Sequence, residues 1–387
     1  MITTLAVSGY RSLRDVVVPL GRLTVVTGGN GSGKSSLYRA LRLLAECGQG
    51  RVIGSLAREG GLQSVLWAGP ESLAGARRGA PVEGTVRKGP ISLRMGYASD
   101  DFGYVIDLGL PQPTGLPTAF ERDPEVKREV VFAGPVMRPA TTSVRRRRGL
   151  VEVRDGRRWA ELRDGLAPYR SVLREYADPQ LAPEVFAVRE RIRSWRFYDG
   201  FRVDADSPAR RPQVGTRTPV LAGDGADLAA AVQTILESGF EDLERTIADA
   251  FDGATLQVQT ADGSFDVAIC QPGMLRPLRA AELSDGTLRY VLLATALLAV
   301  DPPTLMVLNE PETSLHPSLI PPLARLIAAA ARRCQLVVVT HSQHLIGQLR
   351  ATTGDAVAEI VLTKSLGETL VDGQGLLTRP AWEWGSR

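Results

Sequence analysis

Apolar and β-branched positions alternate or run together over residues 2–8 and 16–26, with Gly9-Tyr10-Arg11-Ser12 between them. That pattern predicts two strands joined by a turn. The second breaks at Gly28 into a glycine-rich stretch, after which Ser36 to Glu46 take helical spacing. Gly60 to Trp67 suggest a loop entering a strand, and short alternating segments at Val82–Val86, Ile91–Arg94 and Tyr104–Leu108 suggest a small antiparallel sheet. Residues 111–149 are proline-rich, charged and aperiodic, while Trp159 to Arg196 return to helical spacing. Ser207 to Pro219 read as a flexible loop. Asp224 to Phe251 are helical, with Leu228, Val232, Ile235 and Leu236 on one face that Phe240, Leu243, Ile247 and Phe251 continue. Strands are expected at Thr255–Thr260 and Phe265–Cys270. A helix over Leu288–Val300 is apolar on nearly every side and must be buried. Pro303–Leu308 is a short all-apolar strand of the kind found at the centre of a parallel sheet. A helix at Leu319–Arg333, a strand at Leu336–Val339 and a β-rich end containing Trp382 and Trp384 complete an α/β pattern without internal repeats.

The break after the strand Leu23–Val26 holds the strongest chemistry. Gly28-Gly29-Asn30-Gly31-Ser32-Gly33-Lys34-Ser35 is a complete phosphate-binding loop. Its glycines let successive N–H groups turn inward on an anion, Lys34 reaches the β/γ-phosphates of a nucleotide, and the Ser35 hydroxyl is placed to ligate Mg²⁺. The helix that follows, from Ser36, turns its positive N-terminal end toward the same site. Asn30, Gly31, Ser32, Gly33, Lys34, Ser35 and Ser36 are therefore candidate nucleotide-binding residues. Of the 46 basic residues only Lys34, Lys88, Lys127 and Lys364 are lysine, so a lysine at the one position that requires a slim ammonium is informative. Gln63 is a candidate for contact with the metal or the attacking water. Tyr10 and Arg11 are candidates for packing near the base.

Composition narrows the class. A chain of 387 residues accommodates two domains or one large domain with an insertion. The formal charge of +3 is nearly balanced, so a basic footprint has to be local. No apolar run approaches the roughly 20 residues of a membrane span, and no signal-peptide pattern is seen, so a cytoplasmic protein is expected. Cys47, Cys270 and Cys334 are few and widely spaced, which fits reduced thiols.

The order of motifs is more specific than the loop alone. Leu283-Ser284-Asp285-Gly286-Thr287, an apolar strand reaching Asn309-Glu310-Pro311-Glu312, Thr313-Ser314-Leu315-His316-Pro317 and Thr340-His341-Ser342 follow the phosphate loop. This series resembles the ATP-binding-cassette ATPases, in the soluble SMC/RecF/OLD-like branch and specifically the AAA-21 type of bacterial ATPase. Gly9-Tyr10-Arg11-Ser12-Leu13-Arg14-Asp15 and the closing Trp382-Glu383-Trp384-Gly385 add to that resemblance. It covers about residues 2–50 and 220–387. It implies an α/β P-loop NTPase of the ABC ATPase type, with an antiparallel β-subdomain and an inserted helical lid. The ATPase core is expected over 1–80 and 220–387 and the inserted β/helical lid region over 81–219.

The resemblance also implies roles. Ser284 and Gly286 would cap the γ-phosphate of a nucleotide held by a second copy of the chain, so a homodimer enclosing ATP and Mg²⁺ is expected. Glu310 would polarise the attacking water, His341 would contact the γ-phosphate, and Ser314 and His316 would lie in a loop facing the dimer partner. Glu312 fits a helix start or dimer loop better than a second base. Asn309 stands where most of the superfamily has an aspartate holding Mg²⁺ through water. An amide accepts the same hydrogen bond without contributing charge. Three functions are weighed: an ATPase in DNA-associated or phage-defence processes, an ATP-dependent switch controlling a separately encoded effector such as a nuclease or toxin, and a transporter nucleotide-binding subunit. The roughly 250 residues between phosphate loop and signature speak against the transporter. Arg145, Arg146, Arg147 and Arg148, with Arg157, Arg158, Arg210 and Arg211, form the candidate surface for duplex DNA.

Overall fold

The computed structural model describes residues 1–79, 81, 89, 92–112, 118–163, 165–239, 242–375 and 377–385. The segment Val82–Val86, Ile91 and Phe240, which entered the sequence reading, lie outside these described residues. The chain divides into two compact units, one of residues 1–21, 27–194 and 360–387 and the other of residues 22–26 and 195–359. It passes between them within the strands Leu23–Gly28 and Val357–Ser365.

The first unit is built on an eight-stranded antiparallel sheet. Its spatial order is Leu13–Pro19, Ile2–Tyr10, Leu93–Ser99, Phe102–Gly109, Glu125–Ala133, Thr142–Arg147, Leu150–Asp155 and Arg158–Arg163. Ile2–Tyr10 pairs on one side with Leu13–Pro19, Val7 opposite Val16, and on the other with Leu93–Ser99, Val7 opposite Met95. Strands from the expected insertion thus extend the N-terminal hairpin. Helices Lys34–Gly48 and Pro183–Ser194 belong to this unit, the first burying Leu37, Leu41 and Leu44 along one stripe. The hairpin of Val357–Ser365 with Glu368–Val371, Leu362 opposite Val371, closes the chain before a tail whose Trp382 and Trp384 pack on Ala98, Val105, Val130 and Phe132.

Three expectations for this unit need correcting. Residues 142–163 are not an aperiodic loop leading into a helix; they form three consecutive antiparallel strands. Among the described residues between Arg163 and Arg196 the helical stretches are Val172–Glu175 and Pro183–Ser194. Gly60 to Trp67 contain a single helical turn, Leu62–Val65, before Leu66 bridges to Tyr10.

The second unit contains a parallel sheet ordered Arg196–Tyr198, Leu305–Asn309, Gln335–Val339 and Leu23 to Val26. Its strands are apolar almost throughout because both faces are covered. The helix Asp285–Leu297 buries every residue from Leu288 to Leu297, as its all-round apolar pattern requires. The Asp224–Phe251 stretch divides into helices Leu228–Glu237 and Asp242–Ala250. A small antiparallel sheet of Thr255–Ala261 and Ser264–Cys270, extended by Gln213–Val214 and Leu278–Arg279, completes the unit. Cys47 and Cys334 are buried free thiols, and burial pushes the Cys334 thiol up to about 11.

Candidate functional site

In the first unit, the residues after Gly28 turn sharply onto the helix Lys34–Gly48. Gly33, the residue before the helix, has φ 113°, and a Cβ there would sit 2.1 Å from the Thr369 hydroxyl oxygen. Only glycine fits such a backbone and such a neighbour. Thr369 in turn donates its hydroxyl to the Ser32 carbonyl at 2.8 Å, and its N–H to the Ser12 carbonyl at 2.8 Å. The loop is thereby braced from behind by a residue that sequence reasoning did not single out. The Lys34 ammonium, largely buried, donates to the carbonyls of Gly28 at 2.6 Å and Gly29 at 3.0 Å. The Ser32 hydroxyl is buried with no hydrogen-bond partner among the described residues. Asn30, Gly31 and Ser35 are exposed and Ser36 is half-buried. A buried cation bonded only to backbone and an orphan hydroxyl suit a phosphate chain, which supplies acceptors to both.

Other candidates of this unit fare differently. The Gln63 side chain is exposed on its helical turn and makes no hydrogen bond among the described residues. The Tyr10 ring is wholly buried and its hydroxyl donates to Glu59 at 2.7 Å, so it packs the core and presents no face to a base. Arg11 pairs with the same carboxylate at 2.6 Å. The arginine run is corrected as well. Arg146 has no exposed surface and pairs with Glu129, and Arg145 makes two hydrogen bonds to Glu152, leaving Arg147 and Arg148 exposed. Alternation along a strand puts residues 144 and 146 inward and 145 and 147 outward, so the four cannot act as one surface.

In the second unit, the strand Leu305–Asn309 ends with half-buried Asn309 and passes into Glu310, whose φ of 48° lies in the left-handed region. The Glu310 N–H donates to the Val339 carbonyl at 2.8 Å, fixing that turn to the neighbouring strand. The His341 Nδ1 lies 3.2 Å from the Glu310 carboxylate, so the structure brings these two candidates together. The adjoining Thr340 donates its hydroxyl to Glu312. Glu312 is thus a bracing residue of the strand ends and starts no helix.

Ser284 caps the helix Asp285–Leu297, its hydroxyl accepting the Thr287 N–H at 3.2 Å. A Cβ on Gly286 would approach the Ser314 carbonyl to 3.0 Å, so the signature turn and the 313–317 loop meet because residue 286 lacks a side chain. His316 caps the short turn Pro317–Leu319. Two arginines complete this assembly, one of which, Arg210, the sequence reading places on a DNA surface, while the other goes unremarked there. Arg210, buried, donates to the Ala280, Ala281 and Leu283 carbonyls and pairs with Asp285 at 2.7 Å, which removes it from any DNA surface. Arg289, one turn after the signature, donates to the Glu310 carbonyl at 3.3 Å. Burial pushes its guanidinium below the ordinary value, while the charges of Glu312 and Glu310 oppose that. The available signal was a lone charge in an otherwise apolar helix.

A family described as "AAA domain, putative AbiEii toxin, Type IV TA system" matches residues 23–347. The chain belongs to this family. No curated protein matches the chain. Among solved structures, an Smc head bound to the C-terminal winged-helix domain of ScpA shares 14% identity, covering 97% of this chain and 98% of that one with a TM-score of 0.51. An Smc head with an extended coiled coil, bound to the C-terminal domain of ScpA derived from Pyrococcus furiosus, shares 14% identity over 96% of this chain and 95% of that one at a TM-score of 0.48. The SMC head domain from Thermotoga maritima, also at 14%, covers 96% and 97% at 0.43. At this identity the first of these shows a shared fold. The AAA-domain family member described here therefore has the SMC/RecF-like, ABC-type P-loop ATPase fold. Among its described residues no helix is long and apolar enough to cross a membrane.

Proposed function

We propose that this chain binds and hydrolyses ATP and closes as a homodimer around it. The observation that supports this most is the end of the Leu305–Asn309 strand, where a left-handed turn holds Glu310 with its carboxylate 3.2 Å from the His341 ring. A carboxylate so held can accept a proton from water, and an adjacent imidazole can orient it or donate to a phosphate oxygen. Lys34, Ser32 and the loop N–H groups would hold the phosphates. Mg²⁺ would be held by the Ser35 hydroxyl, by phosphate oxygens and, through water, by Asn309. Such a set suits an ion that keeps much of its water. When bound, the ion would neutralise phosphate charge. The dimer reading rests on one loop and one signature per chain, which belong to different nucleotides in the ABC arrangement.

Removing the ammonium by Lys34→Ala is expected to weaken ATP binding by at least about tenfold, since a charge-assisted contact to phosphate is lost. Fluorescent-nucleotide titration reads this directly, and unchanged affinity would exclude the loop as the site. Asn309→Asp is expected to lower the Mg²⁺ concentration needed for half-maximal turnover and to raise the rate. A falling rate at unaltered metal dependence would instead show asparagine to be tuned to this site.

Asn309 also favours a second reading, in which ATP binding rather than rapid turnover is the signal and the closed dimer controls a separately encoded effector. The spent arginines 145 and 146 weaken the duplex-DNA reading as it stood on the run 145–148. ATP turnover with and without nucleic acid, beside co-purification from the native host, separates these readings.

A further inference from the structure

We propose that one face of the antiparallel sheet in the first unit binds the phosphodiester backbone of nucleic acid, through a set of arginines chosen by strand register rather than by adjacency in sequence. The inference is independent of the ATP-site reading, because none of these residues belongs to a nucleotide-binding motif. Strand pairing sets Arg128 opposite Arg147, Val130 opposite Arg145, Arg145 opposite Glu152, and Arg154 opposite Trp159. Directly paired residues share a face, so Arg128, Arg145, Arg147, Arg154 and Trp159 all project from the same side. The opposite side holds Glu129, Val144 and Arg146, which are buried.

On the arginine side lies a cavity of about 270 Å³ lined by the guanidiniums of Arg128, Arg138, Arg145, Arg147 and Arg154, with Glu383 the one carboxylate among its lining residues. Their availability differs. Arg145 is paired with Glu152, and Glu161 stands opposite Glu152 on the edge strand. Arg138 and Arg147 are exposed and make no side-chain hydrogen bond or ion pair among the described residues, the Arg147 charge acting on Glu152 only at a distance. Arg154 donates to the Pro139 and Ala140 carbonyls, and its Nε is buried without a partner. Arg128 donates to the Trp384 carbonyl; burial lowers its guanidinium, the Asp107 carboxylate opposite raises it, and the like charges of Arg147 and Arg94 lower it again. These are guanidiniums held near one another with fewer carboxylates than they could engage, and an anion would relieve that.

The identity of the anion follows from what the face lacks. Its aromatic ring is already engaged, with the Arg145 guanidinium 4.0 Å and the Arg154 guanidinium 5.2 Å from the Trp159 ring centre. Protein partners gain most of their affinity from buried aromatic and apolar anchors. Here five arginines line the cavity beside Val130, Met137 and Pro139, so forked charged donors outnumber the apolar groups that could receive such an anchor. Phosphate contacts need no such anchor and are independent of base sequence. The five residues from Arg147 back to Ser143 span roughly 13 Å at the usual rise per residue, enough for two or three successive phosphates.

The test measures fluorescence anisotropy of the full chain with a 20-nucleotide oligothymidine and a 20-base-pair duplex over a series of salt concentrations, without ATP. The double variant R138E/R147E alters two exposed, unpartnered side chains, and its melting midpoint and ATP binding report that it is folded. We expect wild-type affinity to fall steeply with salt, the variant to bind at least tenfold more weakly, and the log–log salt slope to flatten by about 1.5 to 2 units. A control charge reversal at Arg217, exposed in the second unit, should leave both unchanged. Absence of salt-sensitive binding by the wild type, or equal binding by R138E/R147E, overturns the proposal. Tight binding of poly-glutamate with no binding of either oligonucleotide also overturns it, in favour of an acidic protein partner. Loss of ATP binding in Lys34→Ala with intact oligonucleotide binding would leave this proposal standing whatever becomes of the nucleotide site.

Discussion

Glu310→Gln is expected to lower steady-state ATP turnover by about two to four orders of magnitude, the usual worth of a positioned general base. The amide keeps the size and hydrogen-bonding reach of the carboxylate, so ATP binding should persist while proton acceptance is lost. With hydrolysis blocked, the closed homodimer should accumulate in ATP and Mg²⁺, and light scattering after size exclusion at micromolar protein would show it. The backbone around the residue gives this variant its selectivity: the Glu310 N–H and carbonyl bond to Val339 and Arg289, and neither bond involves the side chain that is changed. His341→Ala should fall between wild type and Glu310→Gln, the outcome expected of a histidine whose part is to orient the carboxylate that lies 3.2 Å from its Nδ1. Turnover in Glu310→Gln within a few-fold of wild type would remove Glu310 from the chemistry. A variant that stays monomeric with ATP bound would remove the homodimer.

How much of this was legible in the sequence depends on which forces set each element. The parallel strands were legible because burial on both faces writes them as unbroken apolar runs, as in Leu305 to Leu308 and Leu336 to Val339. The turn onto the helix Lys34–Gly48 and the close approach of residue 286 to Ser314 were legible because each leaves no room for a side chain, so glycine stands at 33 and 286. What was hidden depends on partners distant in sequence. Thr369 braces the phosphate loop from 337 residues away, and Arg210 reaches 75 residues to Asp285. Residues 142–147 read as a polar run because arginine occupies both faces of the strand, and nothing local reveals that Arg146 has Glu129 waiting inside. Charge there obscured an ordinary two-residue alternation.

That buried pair yields the second large prediction. Arg146→Ala should destabilise the first unit by about 3 to 5 kcal/mol, the range for removing one partner of a buried ion pair. Arg146 donates to Glu129 at 2.9 Å, to the Arg148 carbonyl at 2.6 Å, to the Ala167 carbonyl at 3.0 Å and to the Arg170 carbonyl. Glu129 also accepts from the Tyr104 hydroxyl at 2.6 Å, the Ser171 hydroxyl at 2.5 Å and the Val172 N–H at 2.9 Å. The pair therefore ties the strand Thr142–Arg147 to the 167–172 segment. Truncating Arg146 leaves three carbonyls without their donor and a buried, uncompensated carboxylate, and no side chain at that position other than arginine supplies the same fork of donors. For a unit of this size the loss corresponds to a fall in melting midpoint of about 6 to 20 °C. Arg147→Ala, one residue on and facing solvent, should stay within about 0.5 kcal/mol of wild type. Differential scanning fluorimetry on the two variants side by side checks the contrast. If they melt together, Arg146 is not the internal tie described here. If Arg146→Lys melts near Arg146→Ala, the geometry of the fork and not the charge alone holds the segment in place.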